Sequence, residues 1–113
     1  MNDRTKALLE HMLDDANDIL SMTLEINSFD DFYTNMPIRK ATVMSLLNIG
    51  ELANRLPEDY TDSHSEIPWR MMVNLRNIAA HGYHTMNHSI VWEIVKDDIP
   101  MLITFLYREL RDR

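Results

Sequence analysis

Residues 38–56 read IRKATVMSLLNIGELANRL, and this stretch decides the fold because its core-type side chains recur at helical intervals. One line along a single helix face, at steps of three and four, comprises Thr42, Leu46, Ile49, Ala53 and Leu56. Val43, Leu47 and Gly50 lie beside that line and widen the apolar arc. Glycine costs about 1 kcal/mol relative to alanine inside a helix, so Gly50 predicts a close approach by another helix.

A similar pattern precedes this stretch and predicts a long first helix over about residues 3–26. Its buried stripe, with acidic residues opposite, comprises Leu8, Leu9, Met12, Leu13, Ala16, Ile19, Leu20, Thr23 and Leu24. A break at residues 28–31 and a short apolar turn at Phe32 and Tyr33 follow. Pro37 then opens the second helix at its first turn.

The chain after residue 56 predicts a surface connection and two more helices. Residues 57–67 are polar and acidic, and Pro68 then opens a short, largely apolar helix that ends near His81 because Gly82 favours a left-handed stop. The last helix starts at Asn87 or Ser89, and Pro100 must bend or restart it. Acidic residues at 97 and 98 would suit a fresh helix start before that proline. The predicted fold is an all-α, up-and-down bundle of four main helices with a short extra helix.

Length and composition limit the possible functions. The 113 residues predict one domain over 1–113, and the absence of cysteine excludes disulfides and fits a reducing cytoplasm. No apolar run approaches the roughly 20 residues that cross a bilayer, so no membrane role is predicted. The formal charge of −7 opposes broad binding of nucleic acid and restricts any RNA contact to a local cationic pocket.

Residues 76–83 read RNIAAHGY and place a permanent cation, an imidazole and a phenol around one helix end. Arginine suits phosphate, and histidine moves protons near neutral pH. Arg76 and His81 are about 140° apart on an ideal helix, so the helix must unwind or a second chain must complete the site. Alternatively, Arg76 pairs with an acidic residue, His81 caps the helix and Tyr83 packs with its hydroxyl in water.

Other chemistry-bearing residues have simpler interpretations. His81, His84 and His88 have metal-ligand spacing only on a continuous helix, which Gly82 disfavours, so no metal site is predicted. His84 and His88 are expected to be exposed or to add positive charge to a groove. Trp69 and Trp92 are typical of core or dimer-interface anchors.

The pattern Arg76-Asn77-x3-His81-x-Tyr83 resembles the signature of the HEPN superfamily, and its tyrosine resembles the HepT-like branch. Three further segments are similar to that branch and occur in the same order: Asn48-Ile49-Gly50-Glu51, Ile67-Pro68-Trp69-Arg70 and Ile90-Val91-Trp92-Glu93-Ile94-Val95. The resemblance implies a small helical ribonuclease toxin that forms a homodimer, cleaves RNA between its protomers and uses no metal or cofactor. It also implies a neighbouring nucleotidyltransferase antitoxin that adenylylates Tyr83 and silences the toxin.

The residue chemistry agrees with that expectation. Attack by an RNA 2′-hydroxyl needs a base, an acid and positive charge at the phosphate. His81 supplies proton transfer and Arg76 the charge, while Asn77 is expected to support the imidazole or the phosphate, or to cap backbone. Two copies of His81 across a dimer would provide both base and acid, giving a 2′,3′-cyclic phosphate. Two alternatives remain: a HEPN module that binds a nucleotidyltransferase or nucleotide without cleaving RNA, and a four-helix interaction protein.

Overall fold

The computed structural model describes residues 1–80, 82 and 85–111, and this part of the chain is helical without any β-strand. The helices are α1 (Asp3–Thr23), α2 (Phe29–Thr34), α3 (Met36–Asn54), α4 (Glu58–Ser63), α5 (Trp69–Ala80), α6 (His88–Glu93) and α7 (Ile99–Arg111). A π-helical segment, Ile94–Asp98, joins α6 to α7. The all-α prediction is confirmed.

Helix α3 is the centre of the bundle, because it packs against α1 on one side and α5 on the other. Helix α1 also packs against α7, so the long helices are arranged in the order α5, α3, α1, α7. The short α2 lies across the start of α3 and against α6. The core between these helices includes Leu9, Met12, Ile49 and Leu102, each almost completely buried. The predicted second helix is therefore the element that holds the others together.

Asparagine and serine side chains fix where several helices begin. Asn2 accepts a hydrogen bond from the Thr5 backbone N–H, 2.7 Å, at the start of α1. Ser28 caps α2 and Asn35 caps α3 in the same manner. Such caps satisfy backbone donors that have no partner inside the helix. Pro37 lies in the first turn of α3, as predicted.

The buried stripe predicted for the first helix is too wide at its C-terminal end. Helix α1 ends at Thr23, and Leu20 and Leu24 are 43% and 73% exposed, whereas Ile19 and Thr23 are buried. Helix α3 packs along this part of α1, where Met22 and Met44 line one cavity, so the end of the helix is covered on one side only. Periodicity identifies a face, and only the packing partner determines which residues at the edge of that face are buried.

The predicted surface connection at 57–67 contains the short helix α4, which the composition did not predict. Its Tyr60 hydroxyl donates to Glu109 Oε1 on α7, 2.7 Å, and His64 Nε2 lies 3.1 Å from the same oxygen. The Tyr60 and His64 rings stack with centroids 4.1 Å apart. These tertiary contacts stabilise a helix of six residues that would be marginal alone.

Pro100 does not restart the last helix. The chain remains helical through this region and widens into the π-helical segment, in which the Ile99 N–H bonds to the Ile94 carbonyl. Proline lacks an N–H and crowds the preceding turn, and a π turn accommodates both effects. The fresh helix start predicted at Asp97 and Asp98 is therefore wrong, whereas Asn87 caps α6 as predicted.

The close helix approach predicted at Gly50 is confirmed. A Cβ atom added to Gly50 would lie 2.5 Å from the backbone oxygen of Met72 on α5 and 3.5 Å from the Arg76 Cβ. Carbon and oxygen atoms do not approach so closely without displacing the backbone. Glycine is therefore required for α3 and α5 to be this close, and the contact brings α3 directly against Arg76.

We expect Gly50→Ala to destabilise the protein by roughly 1–3 kcal/mol, because the new methyl group must push α5 away from α3. This loss opposes alanine's helix-propensity advantage of about 1 kcal/mol. Urea unfolding would measure the change. Met44→Ala, at an exposed position of the same helix, serves as the control and should change stability by no more than about 0.5 kcal/mol. A Gly50→Ala protein more stable than the wild type would contradict the close-approach argument.

Candidate functional site

Arg76 lies on the side of α5 that faces α3, although that side is otherwise apolar. Trp69 and Met72 are buried on the same face, and Leu75 is buried next to it. At 100° per residue, Arg76 falls between the directions of Trp69 and Met72. A permanent cation therefore occupies a helix-packing position.

The guanidinium of Arg76 is held by two neighbours. Its Nε lies 3.4 Å from Glu51 Oε1 on α3, and its Nη2 donates to Asn77 Oδ1 over a long 3.4 Å. The Arg76 side chain is 34% exposed and that of Glu51 is 48% exposed. The cation is thus anchored across the Gly50 contact while part of it faces solvent.

The ion pair agrees with the alternative interpretation, in which Arg76 pairs with an acidic residue, but the strength of the pair does not explain the position of Arg76. Exposed ion pairs contribute about 0–1 kcal/mol to stability. An apolar side chain at the same place on the α3-facing stripe would stabilise by more, about 1.5–3 kcal/mol when fully buried. The placement of a partly exposed cation therefore costs stability and favours a role in binding an anion.

Asn48 precedes Gly50 in the same motif and faces α1, where it lines a cavity with Asp15 and Glu51. Its side chain hydrogen-bonds to Asp15 on α1. Burial raises the pKa of the Asp15 carboxyl above its ordinary value, and the bond from Asn48 partly offsets that effect. Asn48 therefore links α3 to α1 one helical turn before Glu51. This link helps to hold in place the part of α3 that carries Glu51, the partner of Arg76.

Two of the predicted site residues, His81 and Tyr83, lie outside the described residues. Helix α5 remains regular to Ala80, so Arg76 stays within continuous helix. Gly82 has a φ of +130°, a conformation that favours glycine, which agrees with the predicted glycine stop. Thr85 donates through its N–H and its hydroxyl to the Gly82 carbonyl.

The remaining histidines and tryptophans are distributed differently. His84 lies outside the described residues, and His88 is partly buried beside Arg39. Burial and the positive charge of Arg39 lower the pKa of His88, and the same charge opposes a divalent cation at that place. Trp69 and Trp92 are 7% and 8% exposed, which confirms that both belong to the core.

Glu51 is the site residue that the sequence reasoning did not single out. Glu51 stands in the quoted Asn48-to-Glu51 motif, yet its distance of 25 positions from Arg76 gave no indication of contact. The available signal was Gly50, because a helix that approaches at this glycine must meet the adjacent carboxylate. Asn77, expected to support the imidazole or the phosphate or to cap backbone, contacts Arg76 among the described residues.

Comparison with known proteins identifies related sequences over most of the chain. The family model "Ribonuclease HepT-like" matches residues 12–109. A protein of Methanocaldococcus jannaschii named "Putative RNase MJ1380" is 36% identical over 97 residues, covering 86% of this chain and 88% of its own. A Thermococcus cleftensis protein named "Probable ribonuclease HepT" is 35% identical over 97 residues, covering 86% and 87%.

A second M. jannaschii relative, named "Putative RNase MJ0127", is 33% identical over 107 residues and covers 95% of this chain and 88% of its own. No solved structure matches the chain. None of the helices that the structure describes combines the length and apolar character needed to span a membrane. The matched region includes α3, which carries Glu51, and α5, which carries Arg76.

Proposed function

This chain belongs to the ribonuclease HepT-like family, and from that premise we propose that it is a metal-independent endoribonuclease with Arg76 and His81 as its catalytic residues. The observation that supports this function most directly is the Arg76 guanidinium, held by Glu51 at the Gly50 contact and still partly open to solvent. A fixed, partly exposed cation provides the positive charge that cleavage of a phosphodiester requires, and His81 is proposed to provide the proton transfer.

The proposed reaction is an internal transfer of the phosphoryl group. One His81 imidazole removes the proton of the RNA 2′-hydroxyl, and the 2′ oxygen then attacks the adjacent phosphorus. The bond from phosphorus to the 5′ oxygen breaks, and a protonated His81 gives its proton to that leaving oxygen. Arg76 stabilises the charge on the phosphate during the transfer. The products are a 2′,3′-cyclic phosphate and a 5′-hydroxyl.

A homodimer would provide the two histidines that this reaction needs. One imidazole cannot accept and donate protons in the same step, and Arg76 and His81 do not share a face of an ideal helix. Helix α5 packs mainly against α3, so its outer side, including Asn74 and Asn77, remains exposed. We therefore propose that this side of α5 faces a second copy and that the RNA binds between the two protomers.

Cleavage is expected to continue unchanged in EDTA, and its products should carry 2′,3′-cyclic phosphate and 5′-hydroxyl ends. Polynucleotide kinase would label the downstream fragment directly, because this fragment carries a 5′-hydroxyl. An RNA labelled at its 5′ end would show the cyclic phosphate on the upstream fragment. The matched control is an RNA with a 2′-O-methyl group at the cleavage position, which should resist cleavage. Loss of activity in EDTA that Mg²⁺ restores would overturn the metal-independent mechanism.

We also propose that the chain acts as a toxin controlled by a partner nucleotidyltransferase through adenylylation of Tyr83. Tyr83 is two residues from His81, so an attached AMP would bring a bulky anion to the catalytic groups. Its phosphate would compete with RNA for the positive charge of Arg76. This regulation follows from the family resemblance and from the position of the tyrosine in the sequence.

Tyr83→Phe should remain an active ribonuclease and should escape inactivation by the nucleotidyltransferase, because phenylalanine has no hydroxyl to accept AMP. Incubation of each protein with the partner enzyme and ATP, followed by mass spectrometry and an RNA cleavage assay, would measure both effects. Tyr107→Phe is a suitable control because Tyr107 is 53% exposed on α7. Equal incorporation of AMP into wild type and Tyr83→Phe would exclude Tyr83 as the modified residue.

A further inference from the structure

A cavity of about 490 Å³ opens between α2, the first turns of α3 and the start of α6. We call it the Arg39 pocket, and its described lining consists of Phe29, Tyr33, Arg39, Met86, Asn87, His88 and Ser89. Its volume falls within the range of about 300–1,000 Å³ that small-molecule sites occupy. None of these lining residues is acidic, in a chain whose formal charge is −7.

The guanidinium of Arg39 is oriented by Tyr33. Its central carbon lies 4.6 Å from the Tyr33 ring centroid, and its Nη1 donates to the Tyr33 backbone carbonyl, 2.7 Å. Stacking and hydrogen bonding together restrict a side chain that would otherwise sample many rotamers. A planar, oriented guanidinium of this kind is well suited to phosphate.

Aromatic and polar groups surround this cation. The ring of His88 meets Tyr33 edge-on with centroids 5.8 Å apart, and Phe29 lies 5.7 Å from Tyr33 on another side. Tyr33 is 48% exposed, which is unusual for a large ring within such a cluster. Ser89 adds a hydroxyl at the rim. Rings beside an oriented arginine can receive a nucleotide base, because every base has a flat aromatic face.

Another large cavity of the protein, about 590 Å³, has the opposite character. It lies near the start of α5 and is lined in part by Glu58 and Asp62, whose charges repel phosphate. The acidic composition restricts RNA binding to a local cationic site, and the Arg39 pocket, whose described lining holds an arginine and no carboxylate, is such a site.

The Arg39 pocket and the Arg76 site both lie against helix α3. Ala53 lies near Trp69 and Gly50 lies near Met72, so α5 runs antiparallel to α3 and its C-terminal end points towards the start of α3. Arg39 is 11 residues before Gly50, which corresponds to about 16 Å along α3. Met86, four residues after Gly82, already lines the pocket. A short stretch of single-stranded RNA can extend over this distance.

We propose that the Arg39 pocket binds a nucleotide of the substrate RNA on one side of the cleaved phosphodiester, with Arg39 at its phosphate and the neighbouring rings at its base. The inference rests on the proposed ribonuclease function and adds a binding subsite to it. Arg39 is a binding residue here, because it contacts substrate away from the reacting atoms.

The test compares Arg39→Ala with Arg70→Ala in RNA binding. Arg70 is an exposed arginine that lines the acidic cavity, so both variants lose one positive charge. Fluorescence anisotropy with a labelled single-stranded RNA, in the His81→Ala background to prevent cleavage, gives Kd at several salt concentrations. Arg39→Ala should raise Kd about tenfold and reduce the salt dependence by about one phosphate contact. Arg70→Ala should leave the salt dependence unchanged.

Equal effects of the two substitutions would overturn the proposal, because only net charge would then matter. Arg39→Gln, which keeps much of the side-chain volume, should behave as Arg39→Ala and guards against a folding defect in the alanine variant. If AMP alone binds in an Arg39-dependent manner while RNA binding does not depend on Arg39, the pocket is a free-nucleotide site and the proposal fails.

A cleavage assay separates this inference from the proposed function. On an RNA too short to reach the pocket, Arg39→Ala should cleave at the wild-type rate, and on a longer RNA its KM should rise while kcat remains similar. Wild-type cleavage together with an unchanged KM for Arg39→Ala would reject the subsite and retain the ribonuclease. Absence of wild-type cleavage, with Arg39-dependent RNA binding, would reject the ribonuclease and retain an RNA site.

Discussion

His81→Ala is expected to lower the rate of RNA cleavage by about 10²–10⁴-fold, the usual contribution of one general acid or base. The methyl group that remains can neither accept the 2′ proton nor donate one to the 5′ oxygen. Loss could reach the upper end of that range, because in a homodimer the substitution removes both imidazoles from each site. Single-turnover cleavage of a labelled RNA would measure the rate directly.

The matched control for this prediction is His11→Ala. His11 is exposed on α1, where it lines a cavity with Glu51 but not with Arg76, and its loss should leave cleavage unchanged. Sedimentation of the His81→Ala protein should show the same oligomer as the wild type, which separates chemistry from assembly. Cleavage by His81→Ala within threefold of wild type would reject His81 as a catalytic residue.

Arg76→Ala is the second substitution with a large expected effect, a loss of about 10²–10³-fold in kcat. The guanidinium is proposed to bind the phosphate most strongly when its charge develops, so the loss should appear mainly in kcat rather than in KM. Arg76→Lys should recover part of the rate, because a lysine keeps the charge but not the planar fork held by Glu51. Arg70→Ala on the same helix is the control.

The stability of Arg76→Ala distinguishes catalysis from a structural role. A partly exposed ion pair contributes about 0–1 kcal/mol, so the unfolding free energy should change by no more than about that amount. A destabilisation of several kcal/mol with unchanged specific activity would support the four-helix interaction protein. Glu51→Gln provides an intermediate case, because it releases the guanidinium without removing it, and it should reduce cleavage less than Arg76→Ala does.

Several elements of the fold could be predicted because their causes are local. The Asn87 side chain caps the start of α6, and the fixed φ of Pro37 suits the first turn of α3. Gly50 destabilises a helix by itself, so its presence there indicated a close neighbouring helix. The family resemblance could be recognised for a related reason, since ordered motifs in three helices are visible without coordinates.

Other elements depend on contacts between distant parts of the chain and could not be predicted. Helix α4 persists because Tyr60 reaches Glu109, 49 residues away. The π-helical turn arises because the packed chain keeps its helical direction through Pro100, and local propensity gave no reason to prefer this over a restart. The exposure of Leu20 and Leu24 reflects which side of α1 the neighbouring helices cover, because Ile19 and Thr23 beside them are buried.

The amino-acid sequence by itself determined the helical class, the Gly50 contact, the family and the identity of the candidate catalytic residues, because periodicity, backbone preference and ordered motifs are local properties. Tertiary structure decided that Glu51 holds Arg76 and that Arg39, Tyr33 and His88 surround one cavity. Side-chain partners separated by 25 or 49 positions are brought together only when helices pack, and packing depends on the shape of the whole core.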